Sequence, residues 1–170
     1  LGPSFPTRRL PIWAIFGATG GVMEAALRTV YHSLTNKKLE NIELKDVRGM
    51  EGIKETTVII DKVPIKFAAV HDIANAKKIL KQIENGRSEY TFIEIMACVG
   101  GCIGGGGQPI GTTNKIKEKR IDQIYEIDQN KNIRMSHENP DIIKLYKEYL
   151  GEPLGELSHK LLHTTYCARK

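Results

Sequence analysis

An α/β fold with a helical tail is what this sequence predicts, and three observations carry the prediction. Two β-branched, apolar runs of strand length, "TTVIID" and "PIKFAAV", lie side by side. A helix-period segment, "DIANAKKILKQIENG", follows, and then a further strand-like run, "YTFIEIM". Strand, helix and strand at this length form a βαβ unit, whose strands run parallel. Past "GQPIGTTN" the periodicity turns helical to the end. At 170 residues the chain is long enough for one domain with a sizeable core, with room for a second small lobe.

The elements follow in order. "LGPSFPTRRLP" carries prolines and a glycine without any period, which predicts an irregular lead-in. "IWAIFGATGGVMEAALRTVYHSL" reads as a short apolar segment, a glycine-rich turn and a helix with Met23, Leu27, Val30 and Leu34 on its apolar face. The strand pair is expected to turn at "KV". The next helix places Ile73, Ala76, Ile79, Leu80 and Ile83 on one face and stops at Gly86. Three helices then fall on "KIKEKRIDQIYEIDQN", "NPDIIKLYKEYLG" and "LGELSHKLLHTTY". Asn139 is an N-cap before Pro140 and Asp141, and Gly151 closes that helix. The expected division is an α/β part over 1–112 and a helical segment over 113–170.

Composition narrows the function classes. The net charge of +5 comes from 25 basic and 20 acidic residues interleaved along helical stretches, the pattern of solvated helix faces and not of a nucleic-acid patch. No apolar run approaches the roughly 20 residues of a membrane span, and the start lacks the basic-then-apolar order of a signal peptide. The expectation is a soluble, cytoplasmic protein. Three cysteines are an odd number at low density, which argues against a disulfide framework and for a reducing compartment.

The chemistry concentrates in "EIMACVGGCIGGGGQPIG", where Cys98 and Cys102 flank a three-residue gap at the end of the third strand. Ligands of open α/β sheets gather at carboxyl ends of strands. Thiolates are soft ligands suited to iron-sulfur clusters, zinc and copper(I). A structural zinc site usually adds a second cysteine pair or histidines, and a four-iron cluster takes four thiolates. Gly100, Gly101 and the run Gly104 to Gly107 strip the loop of side chains, so that backbone can approach a bulky ligand and aim N–H groups at it. A glycine-rich surface loop with two incidental thiols is the bland alternative.

The pattern E-x-M-A-C-x-x-G-C-x-x-G-G-G-Q-P resembles the third signature of the iron-only, [FeFe], hydrogenases. It is filled by Glu94, Met96, Ala97, Cys98, Gly101, Cys102, Gly105, Gly106, Gly107, Gln108 and Pro109. "IFGATGGVMEAALRT" upstream is similar to the same family, and "IRMSHENPDIIKLYKEYLGEPLGELSHKLLH" resembles its small-subunit segment. The resemblance implies the C-terminal half of a hydrogenase catalytic domain with a helical tail. It also implies an H-cluster, a [4Fe-4S] cubane joined through a cysteine sulfur to a two-iron subcluster with CO, CN and dithiolate ligands. Cys98 would ligate the cubane and Cys102 would bridge the two parts. Met96, Phe16 and Gly17 match residues packed against the di-iron unit. The implied reaction is reversible reduction of protons to dihydrogen.

The family's Cys-Cys-Pro and Met-Pro-Cys signatures do not occur here. The remaining cluster cysteines are therefore expected on a complementary polypeptide, with a ferredoxin or an NAD(P)-linked subunit as electron partner. Smaller departures are Val99, where a proline is common, and Thr165, where the tail usually has histidine. A hydrogenase-like iron-sulfur assembly protein without hydrogenase activity is the alternative, and an inert fragment a third reading.

Other features take plainer readings. "FGATGG" looks like a dinucleotide-binding turn, but no acidic residue follows a second strand at the expected place. His159 and His163 sit one helical turn apart without a third ligand, which favours a surface or packing role. His32, His71 and His137 read as local hydrogen-bonding or surface residues, and Cys167 as a free thiol. Glu94 is expected to fix loop backbone by hydrogen bonds.

Overall fold

The computed structural model describes residues 14–37 and 44–167. The proline-rich lead-in, and part of the charged stretch after the first helix, lie outside the described residues. The chain separates into two compact units, Leu1–Arg134 and Met135–Lys170.

In the first unit a 3-10 turn, Ala14–Gly17, leads into helix α1, Gly21–Thr35. Strands β1, Ile53–Ile60, and β2, Val63–His71, pair antiparallel. Helix α2, Ile73–Glu84, then crosses over to β3, Tyr90–Met96, which runs parallel to β2. The expected βαβ unit is therefore present, in a sheet of order β1-β2-β3. The hairpin turns one residue earlier than expected. Asp61 and Lys62 both take positive φ, the requirement of a type I′ turn, and Val63 already pairs with Ile60.

Alternation sorts the sheet's residues. Met23 and Leu27 of α1 pack with Val58, Ile60, Phe67 and Ala69 on one face. On the other face Ala68 and Val70 pack with Ile79 of α2. Helix α3, Asn114–Gln129, capped by the Thr113 side chain, joins Ile121 and Tyr125 to Ile15, Ala18, Ala25 and Ile103. The expected apolar faces are only partly used, because Val30, Leu34, Ile73, Leu80 and Ile83 remain exposed. Phe92 and Ile95 of β3, which leave opposite faces of that strand, are each 45% exposed.

The second unit is helical. Helix α4, Pro140–Leu145, has Asn139 accepting from the Asp141 N–H, with proline in the first turn as expected. It runs into a π-helical turn, Tyr146–Leu150, that stops at Gly151 with φ +77°. Helix α5, Glu156–Leu162, follows, and the Ser158 hydroxyl fastens it to the carbonyls of Glu152 and Gly155.

Candidate metal centre

The site is assembled on a row of side chains across one face of the sheet. Lys54 of β1 stands opposite Ala69 of β2, and Ala69 stands beside Glu94 of β3. The small central residue leaves room for the start of α1 to come down onto the sheet. There the Glu94 carboxylate accepts from the N–H groups of Gly20 and Met23, both at 2.7 Å. A buried anion thus caps α1 and meets the positive end of its dipole. Burial pushes the Glu94 pKa up, while the Gly20 and Met23 N–H bonds and the nearby Lys54 charge pull it back.

Sequence reasoning expected Glu94 to hold loop backbone; the backbone it holds is the turn before α1, not the cysteine loop. The N–H groups that made "FGATGG" resemble a phosphate site are spent on this carboxylate. Lys54 completes the row, its Nζ donating to the carbonyls of Thr19 at 2.8 Å and Gly49 at 3.0 Å. Burial lowers its pKa to about 8, against the charges of Glu94 and Glu51.

The braced turn in turn supports the cysteine loop. The Thr19 N–H donates to Gly100 O at 3.2 Å, and the Thr19 hydroxyl points to Met96 Sδ at 3.7 Å. Gly101, at φ +94°, passes so close that a Cβ there would lie 2.9 Å from Gly17 O, Thr19 N and Met96 Sδ alike. Two of the expected site residues, Met96 and Gly17, are therefore brought against Gly101, inside the Cys98–Cys102 segment. Phe16 packs on the cluster formed by Ile15, Ala18, Ile103 and Tyr125.

Beyond Cys102 the loop is pinned at both ends by α3. Arg120 donates to Ile103 O at 2.7 Å and reaches the Thr112 hydroxyl at 3.4 Å. Gln108 folds back, its Nε2 3.4 Å from Cys102 O. The glycines divide by role: Gly101 is required by close approach, whereas Gly106 and Gly107 face open space. Gly105 leaves its space beside Cys98, where a Cβ would sit 3.6 Å from Sγ.

Cys98 and Cys102 are both free and exposed. Two soft, accessible donors on a backbone stripped of side chains fit two of the four thiolate positions of a [4Fe-4S] cluster. Among the described residues no three His, Cys, Asp or Glu side chains converge as a metal group. His159 and His163 are exposed with Nδ1 atoms 2.6 Å apart, and Cys167 is exposed in the second unit.

Two residues escaped sequence reasoning. Thr19 links turn, loop and Lys54, and no residue-type signal distinguishes it. Lys54 was detectable, since the alternation Lys54, Thr56, Val58, Ile60 puts it on the inward face. His71, read as a local or surface residue, is instead buried at the end of β2.

A thiol pair on a braced, glycine-lined loop at the carboxyl end of a parallel strand is the half-site of a soft-metal-binding α/β protein. The model for "Iron only hydrogenase large subunit, C-terminal domain" matches residues 7–106, and that for "Iron hydrogenase small subunit" matches 114–169. The chain belongs to the iron-only hydrogenase family.

It is 48% identical over 158 residues to the NADP-reducing hydrogenase subunit HndD of Solidesulfovibrio fructosivorans, covering 92% of this chain and 27% of that one. Identity to iron hydrogenase 1 of Clostridium pasteurianum is 43% over 158 residues, with coverage of 90% and 28%. A solved variant of [FeFe]-hydrogenase HydA1 from Chlamydomonas reinhardtii superposes with a TM-score of 0.70 at 41% identity, covering 89% of this chain and 45% of that one. Protein NAR1 of Arabidopsis thaliana is a more distant relative, 28% identical over 158 residues, with coverage of 91% and 33%. The chain thus spans little more than a quarter of the length of these two hydrogenases.

Proposed function

We propose that this chain contributes half of an H-cluster site and works as a hydrogenase together with a complementary polypeptide that supplies the other cluster cysteines. The observation that carries the reading is the pair of exposed thiols, Cys98 and Cys102, on a loop whose backbone is otherwise bonded into the fold. Cys98 would ligate the cubane and Cys102 would link it to the two-iron unit. When bound, the H-cluster supplies the chemistry in which two protons and two electrons combine reversibly into dihydrogen.

The chain's own residues give that chemistry its walls. Met96, Phe16 and Gly17 form an apolar side that keeps water from the metal, and the Thr19 hydroxyl orients the Met96 thioether. Lys54 and Glu94 hold turn and loop at fixed separation, which sets the spacing between the pocket wall and the thiolates. The half-exposed Phe92 and Ile95 on β3 support a covering partner. Residues 113–170 act as the small-subunit-like segment of this assembly, and a ferredoxin or an NAD(P)-linked subunit exchanges electrons with it.

Infrared spectroscopy of the anaerobically matured complex tests the reading. Carbonyl and cyanide bands are expected, and Cys102→Ala should abolish hydrogen turnover. The similarity to the cytosolic Fe-S cluster assembly factor narfl of Danio rerio, 26% identical over 151 residues, favours a second reading, an iron-sulfur assembly role without hydrogenase activity. Iron-sulfur absorbance without diatomic bands would select that role, and a complex free of iron would overturn both.

A further inference from the structure

One buried polar group beside the cysteine loop has no role in the assignments above. His71 ends β2, is 3% exposed, and its ring Nδ1 is buried with no hydrogen-bond partner among the described residues. A buried polar atom left unanswered is costly, and native proteins keep few of them.

Its location gives the orphan a meaning. His71 pairs in register with Met96, so the two side chains leave the same face of adjacent parallel strands. The following N–H, that of Asp72, donates to Met96 O at 3.0 Å. Asp72 makes that bond at φ +76°, a left-handed backbone that a non-glycine residue adopts only under constraint, while its carboxylate caps α2. Strain is therefore held at the joint between His71 and Met96, two residues before Cys98. The surroundings are cationic. Burial first, then the charges of Lys54 and Lys117, lower the His71 pKa against the pull of Asp72, so the ring is neutral and keeps one N–H donor. Lys117 also lies against the loop, since a Cβ on Gly104 would fall 3.0 Å from its Cε.

We infer that His71 is a positioning residue for the sulfur-rich group carried by the Cys98–Cys102 loop, its ring N–H donating to a thiolate or sulfide sulfur of that group. The inference rests on the iron-sulfur reading above. A hydrogen bond to sulfur stabilises the more negative, reduced form and raises the reduction potential.

The test is a redox titration, followed by electron paramagnetic resonance, of the [4Fe-4S] cluster in the assembled complex. Wild type, His71→Leu and His71→Gln are compared alongside their melting temperatures. His71→Leu should shift the potential negative, and His71→Gln, which keeps an N–H donor, should restore part of the shift. Potentials identical in all three proteins, with any change confined to melting temperature, would overturn the inference and leave the cluster reading intact. A wild-type complex without iron-sulfur absorbance overturns both. Should His71→Leu not fold, 15N spectra of the wild-type imidazole with and without the assembled cluster decide the matter. Movement of the His71 ring signals supports the hydrogen bond, and unmoved signals rule it out.

Discussion

The first compact unit contains two polar constructions of opposite character. Between α1 and α3, Arg28 donates to both oxygens of Asp128 at 3.1 and 2.9 Å, to Glu24 at 2.7 Å and to Arg134 O at 3.1 Å. Arg48 reaches Glu24 and stacks on the Tyr125 ring, and Arg134 closes on Asp128 at 2.7 Å. Every charge in this network meets an opposite one inside the chain, and only the Tyr125 hydroxyl stays unanswered. At the cysteine loop the backbone is just as well bonded, yet the two thiols are free and the His71 Nδ1 has no partner among the described residues. The first construction holds the fold together by itself. The second is a bonded backbone frame around side-chain groups that have no partner among the described residues.

The largest effect is expected where the closed network is opened. Arg28→Ala would leave the buried Glu24 carboxylate with Arg48 alone and the buried Asp128 carboxylate with Arg134 alone, and removing one partner from a buried ion pair costs up to about 3–5 kcal/mol. Urea denaturation should show this loss or outright failure to fold. An acid limb accompanies it. Burial works to raise the Asp128 pKa, but the hydrogen bonds and charges of Arg28 and Arg134 hold it below the usual value. Its stabilisation is therefore present above the unfolded carboxylate pKa and lost as pH falls through the folded one.

Lys54 gives the comparison a second pH dependence, of the same sign but in the alkaline range. Its folded pKa is about 8 against 10.5 for the free side chain. Between those values the unfolded chain binds more protons, so stability should rise with pH across that window. The full rise is on the order of 3 kcal/mol at 1.36 kcal/mol per pKa unit. Lys54→Met should remove that slope, leaving a flatter curve when urea midpoints are compared from pH 7.5 to 10. An unchanged slope would mean that the ammonium is not the buried group at this position.

Gly101→Ala tests the frame at its tightest point. Its φ of +94° and the 2.9 Å approaches to Gly17, Thr19 and Met96 forbid a side chain without displacement of the turn. Such backbone strain is worth about 1–3 kcal/mol. The loss should come with weaker iron binding, because the turn and the loop separate together. Gly107→Ala, in open space, should change neither.

How much of this was readable from residues alone follows the same division. The βαβ unit and the Asn139 cap were legible because strand and helix periods and capping chemistry are local. The hairpin was placed a residue late because Asp61 and Lys62 form a type I′ turn without the glycine that usually marks one. Val30, Leu34, Ile73, Leu80 and Ile83 have core periodicity yet remain exposed, since pattern reports which face is apolar and not what covers it. The thiol pair was legible from spacing and glycines. Thr19 and Lys54 were not singled out, and His71 was read only as a local or surface residue, because their surroundings arise from a register across three strands and from a turn more than thirty residues away from β1's lysine.

The smallest stability change should come from the two residues proposed as cluster ligands. Cys98 and Cys102 are exposed, and neither thiol appears in the hydrogen bonds that hold the loop, which are made by the backbone of Gly100, Gly101 and Gly104 and by Arg120. Cys98→Ser and Cys102→Ser should each alter the unfolding free energy by no more than about 0.5 kcal/mol, the range of exposed substitutions. Each should nonetheless lower the iron retained after anaerobic reconstitution with the complementary polypeptide. A cost of several kcal/mol without loss of iron would reverse the assignment, making the thiols part of the frame and leaving the metal to other groups.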